Sequence, residues 1–539
     1  MSHRNVFYYD TRSNLACVRD PDLGLTYYEH DAGDRMTAVK NPFGEVTYYD
    51  YRPDGQVSRR VLGNGCVTYY DYDAVGRTVM VDNRAPDLSV IASFEYQYDD
   101  ADNPIAIARE DGAVVYYEYD RSDQLTRETH VAEGEVTGEW AWDYDAAGNR
   151  LYETQDEVTT YYEHNAANEL VMETTGEDVT YYSYDGSGNL IARQAPTGTT
   201  YFGYDTENHM VRMDLEEGGH SYYSYDADGK RVRIHPDGFD PTSFIYQGPD
   251  LLRLQTERDA EGATVAHYTI GAAGGLEAQR RDEASSFYHF DWLGSTFALT
   301  DAAQDVTDSY RYNAWGEVLS STGGTTNRHT WIGRHRYCMT EGSFVALLGH
   351  RYNMPSIGRF TTRDPTRSGR NWFAYVLNGA THESDPLGLQ TFPGDPPPVS
   401  LIDCYYAVRS VVDIVEDYPI GPVPGTGQGG DRWQHCVVSC VAAVNCGALM
   451  SKVLGILWEE SRPSEGRTED LEANQAGIDI AVELWWETLP CPPWARWAKD
   501  PREPAFGPCD QGCQGAGYFP NEDAWYVHQQ LSWGGGRDG

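Results

Sequence analysis

The sequence predicts a mainly β protein: a long run of β-hairpins winding into one sheet, then a small, partly α-helical, cysteine-bearing C-terminal domain. Three observations carry this. A tyrosine-rich unit such as YYDYDAVGRT (69–78) recurs about every twenty residues. Every copy sets Gly, Asn or Asp at the same offset. The copies stop near residue 389, where a Pro-rich stretch opens a segment holding seven of the ten cysteines.

At 539 residues the chain exceeds one ordinary core, so an array or several units is expected. The net charge is −42, and a polyanion is a poor nucleic-acid binder through its bulk field. That charge also keeps a β-rich chain soluble. High charge is compatible with disorder, but an aromatic content of 13% argues against it for most of the length. The opening MSHRNVFYYD has no apolar core of a signal peptide, which predicts either a fragment or another export route.

The repeats align on the residue before a turn: His30, Tyr51, Tyr72, Tyr98, Tyr119, Tyr144, His164, Tyr184, Tyr204 and Tyr225. Asp follows in eight of the ten, with Arg52 and Asn165 as the exceptions. Four residues after the anchor stand Asp34, Gly55, Gly76, Asp102, Asp123, Gly148, Asn168, Gly188, Asn208 and Gly229. These residue types tolerate positive φ. Asp leading and Gly closing fit a type I turn followed by a left-handed bulge residue, the connection of a longer-loop hairpin. Each unit therefore reads strand, turn, strand. In TYYDY (47–51), Tyr49 and Tyr51 share one face and Tyr48 takes the other, so rings line neighbouring strands. The tyrosines suit scaffold packing better than a surface for sugars or bases. The aspartates suit turns better than Ca²⁺, which needs several oxygens converging on one point.

Units such as VTYYDYDAVGR and VTYYSYDGSGNL resemble the YD repeats, also called RHS repeats, over roughly residues 5–389. Families carrying them include bacterial polymorphic toxins, cocoon subunits of insecticidal toxin complexes, and teneurins. The resemblance implies that the sheet spirals into a hollow shell. Past residue 240 the regular period weakens, and GHRYNMPSIGRFTTRDPTRSGRNWFAYVLNGATHESDPLGL (349–389) resembles the RHS-associated core that closes such shells. Arg351, Tyr352, Gly358, Arg359, Phe360, Asp364, Pro365, Asn371, Tyr375, Asn378, Asp385, Pro386, Gly388 and Leu389 match the family pattern. Phe373 and Gly379 depart from it, and TRSGRN (366–371) lacks the usual double Gly.

In well-studied members, paired aspartates cut the chain after the last Leu of this motif. The resemblance therefore implies a dyad of Asp364 and Asp385, with Arg359 or Arg363 orienting it or holding charge, and a cut between Leu389 and Gln390. Two close carboxylates do not both ionise easily, so one serves as acid while the other activates water. The competing reading makes both Asp-Pro pairs turns that plug the shell, as in teneurins, which keep a related shell without this cleavage.

After QTFPGDPPPVS (390–400) the composition changes. Residues 390–430 read as a Pro/Gly-rich linker and 431–539 as a variable domain, behind repeats at 1–240 and a core at 241–389. Residues 436–458 form an apolar stretch whose one charge is Lys452, long enough to span a bilayer, though a buried amphipathic helix pair is preferred because Asn445, Gly447 and Lys452 interrupt it. On a helix, Cys436 and Cys440 share a face with His435 beside them, and Cys509 and Cys513 repeat the spacing. Three readings stay open: disulfides in an exported domain, a Zn²⁺ site through those four cysteines, or a catalytic Cys with His435 or His528 as base. No other cofactor is implied. The expected function is the shell and core of a secreted or cell-surface RHS toxin, enclosing a C-terminal effector. An immunity protein and a secretion apparatus would be its partners. The alternative is a wall-associated binding protein with a structural tail.

Overall fold

In a computed structural model, residues 5–389 are described apart from 217, 248–252, 341–343 and 367–369, together with 392–393. The partly helical, cysteine-bearing domain expected from the sequence and the 436–458 stretch lie outside the described residues. Within the described part the protein is nearly all β. A 30-stranded sheet runs from Val6–Tyr9 to Val318–Thr322, each strand pairing antiparallel with the next. The only helices among the described residues are single 3₁₀ turns, none of them long and apolar enough to cross a membrane.

The hairpin Val67–Tyr72 and Thr78–Arg84 shows why the unit repeats. Its pairing slips between Asp71 and Tyr72, a bulge at the anchor. The Asp73 N–H donates to the Arg77 carbonyl (2.9 Å), and the Gly76 N–H donates back to the Asp73 carbonyl (3.2 Å). Asp73 Oδ1 accepts the N–H groups of Val75 (3.0 Å) and Arg77 (2.9 Å), while Oδ2 takes the Arg77 guanidinium (2.6 Å). Both carboxylate oxygens are thus engaged inside the turn. Gly76 has φ +94°, and all ten residues at this offset have positive φ. Replacing Gly76 by Val should therefore cost about 1–2 kcal/mol. Asp34→Gly at the matching position keeps the backbone conformation but loses the hydrogen bond that Asp34 Oδ1 accepts from the Asn14 amide (2.7 Å), so it should cost only about 1 kcal/mol; denaturant melts of the two variants check this.

The anchor tyrosines tie each hairpin to the one before it. Tyr51, Tyr72, Tyr98, Tyr119, Tyr144 and Tyr225 each donate a hydroxyl hydrogen bond to the carbonyl of the first residue of an earlier strand: Met36, Val57, Thr78, Pro104, Leu125 and Met210, at 2.6–2.8 Å. A buried ring thus keeps its polar tip satisfied. Burial pushes the Tyr51 phenol up to about 12. In the YY pair the two faces differ sharply: Tyr49 is 4% exposed and Tyr48 53%.

The sheet winds past itself. Hydrogen bonds between early and late hairpins join residues 196 to 242 positions apart, such as Trp292 to Tyr96 and Thr264 to Asp22. Asn41 reaches Thr269, Ala272 reaches Tyr49, and Asn83 reaches the Phe290 carbonyl. Arg60 and Glu277, each 1% exposed, form an ion pair at 3.1 Å in this seam.

Beyond residue 240 the same hairpin geometry continues. The bulge recurs before Tyr246, Phe290 and Tyr312, and Gly294 and Gly316 take positive φ after the anchors Phe290 and Tyr312. The chain then changes architecture. A four-stranded sheet, Cys338–Met339, Ala346–Leu348, Arg351–Met354 and Arg359–Phe360, is almost wholly buried. The closing segment locks onto earlier hairpins. Asn371 donates to Asn149 Oδ1 (2.8 Å), and Asn378 donates to Gln124 and to the Gly148 carbonyl (2.9 Å each).

His289, His329 and His335 sit in the interior behind these seams, and burial, with Arg60, Arg336 and Arg334 respectively, pulls each down to about 3. Their folded pKa lies below the unfolded value near 6.5, so the unfolded chain binds protons first on acidification. Their contribution is complete above about pH 6.5 and is lost progressively as pH falls towards 3. Denaturant midpoints should drop steeply between pH 6.5 and 4, and His289→Gln should flatten that slope.

Candidate active site

The end of the core forms a buried polar cluster. The loop Asp385–Leu389 closes on itself: the Gly388 N–H donates to the Asp385 carbonyl (3.1 Å), and the Leu389 N–H donates to Asp385 Oδ1 (2.9 Å). It lies flat against residues 348–351. The His350 N–H donates to the Leu387 carbonyl (2.9 Å). Gly388, at φ +68°, comes so close that a Cβ would stand 2.4 Å from the Leu348 carbonyl oxygen. Only glycine serves there, which explains its place in DPLGL.

That contact brings Arg351 to the loop. Its guanidinium donates to Asp385 Oδ2 (3.2 Å), to the Trp372 carbonyl (3.2 Å) and, through Nε, to the Gly388 carbonyl. It stacks 3.5 Å above the Phe360 ring, giving the Phe of GRF its role. Burial lowers the Arg351 pKa, and the nearby charges of Asp385 and then Asp364 push it back up. Both aspartates therefore act on one cation. Tyr337 completes the floor: its hydroxyl accepts the Asp385 N–H (2.6 Å) and bonds the Tyr375 hydroxyl (2.9 Å).

Asp364 is 6% exposed and Asp385 2%. The Asp364 N–H donates to the Trp372 carbonyl (2.8 Å). Asp364 Oδ1 accepts the N–H and the hydroxyl of Thr366, both at 2.8 Å, and that hydroxyl lies 3.4 Å from the Leu389 carbonyl oxygen. The two aspartates thus converge on Leu389, one at its N–H and the other one hydroxyl away from its carbonyl.

The two arginines expected to orient the dyad, Arg359 and Arg363, make their contacts elsewhere. Arg359 donates to the Asn168 carbonyl and stacks 5.1 Å from the Phe373 ring. Arg363 pairs with Glu169 at 2.7 Å. Both pin the closing segment to the repeat at 165–169. Arg351 and Thr366 are the site residues that sequence reasoning passed over. Gln390, His435, Cys436, Cys440, Cys509, Cys513 and His528 lie outside the described residues.

A wall of tyrosine-tied hairpins that winds past itself and ends on a buried Asp–Arg cluster defines a repeat-built shell protein. Residues 109–370 match the family model described as Teneurin YD-shell, and the chain carries a YD shell related to those of RHS toxins. It is 29% identical over 175 residues to the tRNA3(Ser)-specific nuclease WapA of Bacillus spizizenii, covering 31% of this chain and 7% of that protein. Toxin protein Tse5 of Pseudomonas aeruginosa is 28% identical over 167 residues, covering 30% of this chain and 12% of its own. The chain thus spans a small part of the length of these relatives. Among solved structures, a Photorhabdus luminescens Tc holotoxin pore with a mutated TccC3 aligns with a TM-score of 0.55 at 15% identity, covering 74% of this chain and 22% of that one. That likeness concerns the fold alone.

Proposed function

We propose that residues 1–389 are the shell and closing core of a secreted RHS polymorphic toxin, and that residues 390–539 are its enclosed effector, released by self-cleavage after Leu389. The observation that carries the release step is that Asp385, paired with Arg351, holds the Leu389 N–H while the Thr366 hydroxyl links Asp364 to the Leu389 carbonyl. In this reading Asp385, paired with Arg351 at 3.2 Å, takes the part of the base that activates water and Asp364 that of the acid. The relatives' printed activities, a tRNA nuclease and a toxin, support a toxic cargo of this general kind. An immunity protein and a secretion apparatus would be its partners. Expression of residues 390–539 in bacteria should arrest growth when directed to the compartment holding the target. Harmless expression in both cytoplasm and periplasm would count against an effector.

A second reading draws on the outward row of tyrosines: Tyr161, Tyr181 and Tyr201 are each more than half exposed at one position of successive units. That row would suit a wall-associated protein that binds carbohydrate or a partner across its sheet. Harmless tail expression would favour it.

A further inference from the structure

Building on the self-cleavage reading, we propose that the Thr366 hydroxyl is a catalytic proton relay between Asp364 and the Leu389 carbonyl. The side chain touches both groups: Oγ1 lies 2.8 Å from Asp364 Oδ1 and 3.4 Å from the Leu389 oxygen. A hydroxyl both accepts and donates, and its proton rotates to suit. It can therefore accept a proton from the carboxylic acid of Asp364 while handing its own to the Leu389 oxygen. The backbone holds it there independently, because the Thr366 N–H donates to the same Asp364 oxygen. The opposite side is already taken, since Asp385 Oδ1 accepts the Leu389 N–H.

The step balances. The Asp385 carboxylate takes a proton from water as the water oxygen bonds to the Leu389 carbonyl carbon. The Asp364 proton moves to Thr366 Oγ1 as the Thr366 proton moves to the Leu389 oxygen, giving a gem-diol. Asp385 then protonates the leaving nitrogen and the C–N bond breaks. A gem-diol proton returns through Thr366 to Asp364, leaving a carboxylic acid, a free amine and both aspartates as they began.

The test is a pulse-chase of the full 539-residue chain in cell-free translation, following the 1–389 fragment by gel and mass. Thr366→Val keeps the shape and the N–H but removes the hydroxyl; Thr366→Ser keeps the hydroxyl. Cleavage about tenfold or more slower in Val, restored in Ser, is expected. The wild-type chain should also show a larger slowing than Val when the chase is run in D₂O, since it moves an extra proton. A hydroxyl that only held Asp364 and Leu389 in place would also separate Ser from Val, but it would leave the isotope effect of Val equal to that of the wild type, and that result too would overturn the relay. Equal rates in Val and wild type would overturn the relay and leave self-cleavage standing. An uncut wild-type chain would overturn both.

Discussion

An Asp385→Asn chain is expected to remain whole under conditions where the wild type is recovered in two pieces. The substitution keeps an oxygen able to accept the Leu389 N–H, so the loop Asp385–Leu389 retains its closing bond. What it removes is the charge that pairs with Arg351 and the base that activates water. Loss of a positioned acid or base slows such a step about a hundred- to ten-thousand-fold. Arg351 is the partner that should matter next. Arg351→Lys keeps the charge but loses the fork that spans Asp385 and the Trp372 and Gly388 carbonyls. By contrast, Arg363→Gln removes a pairing with Glu169 and should leave the cleavage rate within a few-fold of wild type. Gel time courses of the three variants measure this directly. Cleavage abolished by Arg363→Gln but not by Arg351→Lys would place the charge partner wrongly here.

The largest stability effect is expected at the seam between early and late hairpins. Glu277→Gln leaves Arg60 buried without its countercharge, with Tyr288 and Thr68 as its remaining hydrogen-bond partners. Breaking such a pair from one side costs about 3–5 kcal/mol. Replacing both partners, Arg60→Met with Glu277→Leu, should recover most of that loss, since well-packed apolar groups avoid the desolvation penalty. A repeat array opens locally, so hydrogen exchange of strands Val57–Val61 and Leu276–Arg281 is the appropriate readout. Protection should fall in both strands together in the single variant, although they are far apart in sequence. A loss confined to Leu276–Arg281 would show that the seam does not couple them.

The hairpin unit was legible because what it needs is local. A bulge residue at positive φ favours Gly, Asn and Asp, and all ten aligned positions carry one, although the same turn elsewhere carries Leu23, Leu88 and Gln304. The persistence of the sheet beyond residue 240 was harder to see, because Phe290 replaces the anchor tyrosine while the backbone geometry stays the same. The winding left no trace in sequence. Whether Arg60 meets Glu277 depends on twist accumulated over many hairpins, and no neighbour of either residue reports it. At the site, both aspartates were visible through their motif. Choosing among Arg351, Arg359 and Arg363 was not possible from spacing, because the answer turns on which strand the DPLGL loop lies against. Gly388 held that signal: a glycine forced close to another backbone fixes the loop on residues 348–351, and Arg351 is the first arginine there. Thr366 could have been found by asking what an Asp-Pro-Thr turn does with its hydroxyl.

The most direct test of the account is the intact mass of the full chain after expression and denaturation. Self-cleavage at the Asp364–Asp385 site predicts two masses, with the N-terminal piece ending at Leu389. A single mass for all 539 residues, or an N-terminal piece ending elsewhere, would contradict it.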